Sequence, residues 1–309
     1  MPTVRTATAC TTAALVCLCS AVPAQATTTT LANLLQGDTL QVDGLTFSNF
    51  KPWLSPNFPS GNAVLEALLN NPSALGGMPL VDPTGSGVLS RAFGNATPAV
   101  ASAIMVESLV DDPVSAEDDP GLRFDGPTTW SVTADNIASL QLTGFFYDVF
   151  RDPSSGPLLS ANLVQAAASA YTVGPDSFPS DGWPDFALGQ ALQFVFDENG
   201  SLIDGNTTVD LFARLGFPFF GVVNLASLSS GFTFPDQDNI RVYNLIAVGA
   251  SSGGSYTLGS LTERYDPPET NPGNDFGSLL PGNAVPEPAP LVLLAIGLVA
   301  IGFSRRKPA

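Results

Sequence analysis

Thr39-Leu40-Gln41-Val42-Asp43-Gly44-Leu45-Thr46-Phe47-Ser48 decides how the rest of this 309-residue chain is read. Two alternating segments flank Asp-Gly, and both central residues of a two-residue hairpin must take positive φ. Gly reaches that region freely and Asp tolerates it, so the spacing predicts a hairpin. Just upstream, Thr30 to Leu35 predicts one short helical turn.

The same pattern continues downstream. Thr128 to Ala134 reads as a strand with Trp130 and Val132 on one face and Trp130 in the core. Leu140, Leu142 and Phe145-Phe146-Tyr147 form another, ending at Asp152-Pro153. Val209-Asp210-Leu211-Phe212-Ala213-Arg214-Leu215 alternates with period two. Val222 to Leu228, Phe232 to Phe234, Ile240 to Val248 and Tyr256 to Leu261 follow. Two segments stay open between strand and helix, Val100 to Val110 and Leu158 to Tyr171, because periodicity does not separate a short buried helix from a buried strand. Gly61 to Gly77 is expected to hold the one substantial helix, closed by Pro72. About ten short strands with turn signals between them predict an all-β fold, an antiparallel β-sandwich of jelly-roll-like type. The abundance of Gly, Pro, Ser, Thr, Val and Phe, with little Lys or Glu to build surface helices, agrees.

Both ends differ from this body. Arg5, the apolar or small residues from Ala7 to Ala21, and Ala24-Gln25-Ala26 have the layout of a secretory signal peptide over residues 1–26, with cleavage specified by Ala24 and Ala26. The body is then 27–265, followed by a Pro-, Gly- and Asn-rich spacer over 266–284. From 285 the chain reads Val285-Pro286-Glu287-Pro288-Ala289-Pro290, an apolar run to Phe303, then Ser304-Arg305-Arg306-Lys307. The prolines exclude helix before the run. A helix over 289–303 is about 22 Å long, short of the roughly 30 Å hydrocarbon core, so it predicts a marginal anchor. The basic tail over 304–309 stays cytoplasmic by the positive-inside rule.

Val285-Pro286-Glu287-Pro288, the short apolar helix and Arg305, Arg306 and Lys307 closely resemble the PEP-CTERM sorting signal of Gram-negative bacteria. The N-terminal segment, with its Leu-rich start, Gly37-Asp38, hairpin and Phe47-Ser48-Asn49-Phe50, resembles one common among bodies that carry this signal. The resemblance implies transient anchoring in the inner membrane, cleavage by an exosortase-like membrane peptidase, release to the cell surface or exterior, and association with exopolysaccharide. Signal peptidase is the expected partner at the other end.

Composition narrows the chemistry. The chain has no His, and its three cysteines, Cys10, Cys17 and Cys19, lie inside the leader. A Ser-His-Asp triad, a Cys-His pair and an ordinary zinc site are excluded for the body, and no disulfide can staple it. Between Thr27 and Pro286, 7 Lys and Arg stand against 27 Asp and Glu, a net of −20. That surface repels nucleic acid. The remaining candidates are carboxylates and aromatics. Asp181, Asp185, Asp197 and Glu198 near Trp183 are the minimum equipment of a glycosidase, but acidic loops are common on solvated surfaces. Calcium wants six to eight oxygens, and Asp111, Asp112, Glu117, Asp118 and Asp119 lie close in sequence; a second such stretch runs from Asp197 to Asp210. Trp53 and Trp183, set among prolines in loops, are candidates for stacking on sugar. The leading expectation is a non-enzymatic exported protein without a cofactor. The alternative is a carbohydrate-binding module, with or without calcium, and a polysaccharide-degrading enzyme ranks third.

Overall fold

The computed structural model describes residues 26–54, 85–110, 119–135, 138–152, 158–174, 185–214 and 222–266. In chain order the strands are β1 (Thr28–Thr30), β2 (Leu40–Val42), β3 (Leu45–Pro52), β4 (Ser90–Phe93), β5 (Met105–Leu109), β6 (Gly121–Asp125), β7 (Ser131–Thr133) and β8 (Ser139–Arg151). They continue as β9 (Leu159–Thr172), β10 (Asp185–Asp197), β11 (Leu202–Arg214), β12 (Val222–Ser227), β13 (Ser229–Gln237), β14 (Asn239–Ala250) and β15 (Ser255–Asp266). One helix, α1 (Leu31–Leu35), follows β1.

The hairpin and the helical turn form where the local chemistry asks for them. Asp43 and Gly44 have φ of 45° and 79°, the pair of positive values that a type I′ turn needs. Leu40 then faces Phe47 and Val42 faces Leu45, and all four are buried. Thr30 caps α1 by accepting the Asn33 N–H at 3.3 Å, and the helix buries Leu31 and Leu34.

All pairings between described strands are antiparallel, and they build two sheets. One has the order β1-β5-β6-β15-β9-β13, with β7 also on β15; the other has β12-β11-β10-β14-β8-β3-β2, with β4 also on β8. Their inner faces meet in one apolar core. Phe124 of β6 lies 5.1 Å from Phe145 of β8, and Phe47 of β3 lies 5.8 Å from Tyr265 of β15. Two antiparallel sheets sharing a core form a sandwich. The chain passes from one sheet to the other between β12 and β13 through the single residue Leu228.

Several expectations resolve here. Leu158 to Tyr171 is strand, β9. Val100 to Val110 divides into a 3-10 turn at Ala101–Ala103 and then β5. The strand expected over Thr128 to Ala134 is shorter, because the Gly126 carbonyl accepts the N–H groups of Thr129 and Trp130 in a turn. Trp130 is nevertheless in the core, as expected. Trp53 follows the end of β3, outside a strand as expected, but it is not exposed. It is 3% exposed, and its indole N–H donates to the Asn244 carbonyl of β14 at 2.8 Å. The helix expected in Gly61 to Gly77 lies outside the described residues. Among the described residues no helix is long and apolar enough to cross a membrane.

Candidate functional site

Two polar features of the sandwich stand out. The first is closed. Glu263 of β15 points into the core with 0% exposure. Tyr147 of β8 donates its hydroxyl to the Glu263 carboxyl, Tyr265 does the same at 3.2 Å, and the two tyrosine hydroxyls meet at 2.6 Å. Gln193 of β10 and Asn244 of β14 join the same layer, the Gln193 amide donating to Asn244 at 3.4 Å. Burial pushes the Glu263 carboxyl up to about 7, against the opposing effect of the hydrogen bonds from Tyr147, Tyr265, Asn244 and Gln193. Burial likewise raises both tyrosines, so they stay protonated and serve as donors. This layer ties β8 to β15 across the sandwich.

The second feature is open. β13 pairs with β9 only from Leu159 to Gln165, and the Ala166 N–H donates to the Leu228 carbonyl at 2.8 Å at the corner between the sheets. Beyond that point Ala167–Thr172 is exposed, with β15 as its partner among the described strands. Among the described strands the sheet is one narrower there, and a cleft of about 490 Å³ opens between β9 on one side and β11 and β12 on the other. Its lining includes Ala167, Ala168, Tyr171, Asp210, Phe212 and Asn224. Tyr171 stacks on Phe212 with ring centroids 3.4 Å apart and planes 12° from parallel. Phe212 is buried, whereas Tyr171 is 46% exposed, so the outer ring face is open to solvent.

Asp210 lines the same cleft. Its Oδ2 accepts from the Tyr256 hydroxyl of β15 at 2.9 Å, and its side chain is only 3% exposed. Oδ1 has no hydrogen-bond partner among the described residues. Burial raises the Asp210 carboxyl, and the Tyr256 hydrogen bond partly offsets the rise. Gly189 of β10 is opposite Asp210 in the register, and its missing side chain leaves the space that the Tyr256 ring fills. The sequence pattern puts Asp210 at the end of a candidate calcium loop and leaves Tyr171 at the end of a segment open between strand and helix. The alternation of Val209 to Leu215 was visible, but not the strand that would lie across from it.

Of the other anticipated residues, the described carboxylates of β10 are not brought together. Asp185 and Asp197 lie at opposite ends of β10, about 40 Å apart at the usual strand rise. That is far beyond the roughly 5 to 9.5 Å of a glycosidase pair. The stretch from Asp197 to Asp210 is a turn followed by strand β11 rather than one loop. The Asp197 carboxylate accepts the Asn199 and Ser201 N–H groups within its own turn at 2.9 and 2.7 Å, and Asp210 is far along β11. Asp119 is buried, its carbonyl accepting from Arg264 at 2.5 Å. Asp111, Asp112, Glu117, Asp118, Asp181 and Trp183 lie outside the described residues, as do Ala24 and the residues from 285 onward. Trp53, being buried, offers no ring face to a sugar. Among the described residues no group of three or more His, Cys, Asp or Glu is placed to hold a metal ion.

An all-β body of this kind is a class shared by many unrelated proteins, so the tail is the more specific part. Residues 284–307 match the PEP-CTERM protein-sorting motif. The chain therefore carries that motif, which marks export and processing by an exosortase, itself a membrane protein. None of the curated proteins matches the chain. Among solved structures, a likeness to accessory secretory protein 1, 2 and 3 of Streptococcus pneumoniae covers 54% of this chain and 89% of that one at 13% identity. Its TM-score is 0.16.

Proposed function

We propose that this chain is an exported structural or adhesive protein of a Gram-negative bacterium, working at the cell surface or in the extracellular matrix in association with exopolysaccharide. The observation that carries the reading is the sorting motif at residues 284–307, attached to a body that needs no disulfide. A signal peptidase removes residues 1–26, the apolar helix holds the chain in the inner membrane, and an exosortase-like peptidase acts at the Pro286-Glu287-Pro288 segment. The body, a jelly-roll-like sandwich in this reading, is not an enzyme. The test is intact mass and cell fractionation of the wild type beside a Pro286→Ala, Pro288→Ala double variant. Wild type is expected outside the cell without either terminus, and the variant in the membrane fraction with its tail intact. Wild type retained in the inner membrane with its C-terminal helix would sink the reading. The second reading, a carbohydrate-binding module, is favoured by one observation, the open cleft beside Tyr171.

A further inference from the structure

We propose that the cleft between Ala167–Thr172 of β9 and the pair β11–β12 binds a neutral sugar unit of a polysaccharide, with Tyr171 as its stacking platform and Oδ1 of Asp210 as a hydrogen-bond acceptor. The polysaccharide as partner rests on the reading above; the cleft and its chemistry do not.

Three observations converge. The Tyr171 ring is held from behind by Phe212 and turns its free face outward. A ring fixed in this way loses little freedom when the apolar C–H face of a pyranose settles on it. Next to it lies a buried carboxyl oxygen with no donor among the described residues. A hydroxyl group would supply that donor, and satisfying a buried acceptor is a strong selector for ligands that carry one. The third is Asn224, an exposed amide on the same cleft that can both donate to and accept from neighbouring hydroxyls. The volume of about 490 Å³ falls in the ordinary range for small-ligand sites. The alanines at 167, 168 and 170 present only small side chains along this wall, which suits a polymer lying along it.

Charge and register decide between ligands. A body with a net of −20 and a carboxyl in the site disfavours uronic or sulfated sugars. An added peptide strand is disfavoured for a different reason. Ser169 is skipped where Ala168 and Ala170 pair with Leu258 and Thr257, and such a bulge breaks the regular spacing that strand pairing requires.

The experiment is native affinity electrophoresis of the full chain in a detergent without a sugar headgroup, in gels cast with dextran, galactomannan, barley β-glucan or alginate. Wild type is expected to be retarded by at least one of the three neutral polymers and not by alginate. Tyr171→Ala should weaken retardation about tenfold, Asn224→Ala by a smaller factor, and Tyr171→Phe should retain it. Both side chains are exposed, and unchanged thermal melting of each variant checks the fold. The proposal is overturned if no neutral polymer retards the wild type, if Tyr171→Ala behaves as wild type, if alginate alone binds, or if an uncharged strand-forming peptide binds and the polymers do not. Because the Tyr171 variants leave the sorting motif intact, their fractionation reads the export route independently of the cleft.

Discussion

Glu263 shows how one side chain sets a property of the whole sandwich. Its carboxyl is buried among Tyr147, Tyr265, Gln193 and Asn244, groups that hydrogen-bond it without neutralising its charge. The folded value of about 7 lies above the ordinary 4.5, so the folded state holds its proton longer than the unfolded chain. The stability this confers is complete below about pH 4.5 and is lost as pH rises towards 7. A gap of this size corresponds to roughly 3 kcal/mol. Urea unfolding between pH 4 and 8 should show that decline, and Glu263→Gln should flatten most of it, the remainder belonging to Asp210. An undiminished slope in Glu263→Gln would assign the effect to other groups. Gly189 makes a steric counterpart. A methyl group there meets the Tyr256 ring, so Gly189→Ala should cost about 1 to 3 kcal/mol in the same assay. It should also disturb the hydrogen bond to Asp210.

At the scale of elements, the turn between β2 and β3 was legible because Asp43-Gly44 carries its own conformational demand. Gly44→Ala should lower stability by about 1 to 2 kcal/mol, since a Cβ at φ of 79° meets the neighbouring carbonyl. A thermal melt beside wild type measures it. β15 was half legible. Its inward residues are Tyr256 and Leu258, then Leu261, Glu263 and Tyr265. The parity changes where the register shifts around Leu258 and Ser260. Counting by twos from Tyr256 places Arg264 inside and Glu263 outside, the reverse of what the fold does. That shift comes from pairing with β9, a partner about 90 residues away, and local pattern carries no trace of it. The burial of Trp53 was hidden for a related reason. Flanking Pro52 suggested a loop, while the Asn244 carbonyl that receives its indole N–H belongs to a strand far along the chain. β9 stayed ambiguous because its alanines and serines have no strong period of either kind.

For the whole molecule, the absence of cysteine after residue 19 gives a direct expectation. The melting temperature of the exported body should be the same with and without a thiol reductant, and a shift would mean a covalent link to something else. Stability comes from the sandwich, and its wiring is long-range. β3 waits for β8, about 100 residues later, and β6, β7 and β9 all find their common neighbour in β15. Pairings this distant fold late and slowly. Synthesis delivers the chain from its N-terminus, so β15, the last of the fifteen described strands, is the one the first sheet must wait for. Until residue 266 is available, three strands of that sheet lack their shared partner and Tyr147 lacks its carboxyl. A nascent chain is therefore kept from closing early, and any truncation before Ser255 should yield an aggregation-prone fragment rather than a smaller sandwich.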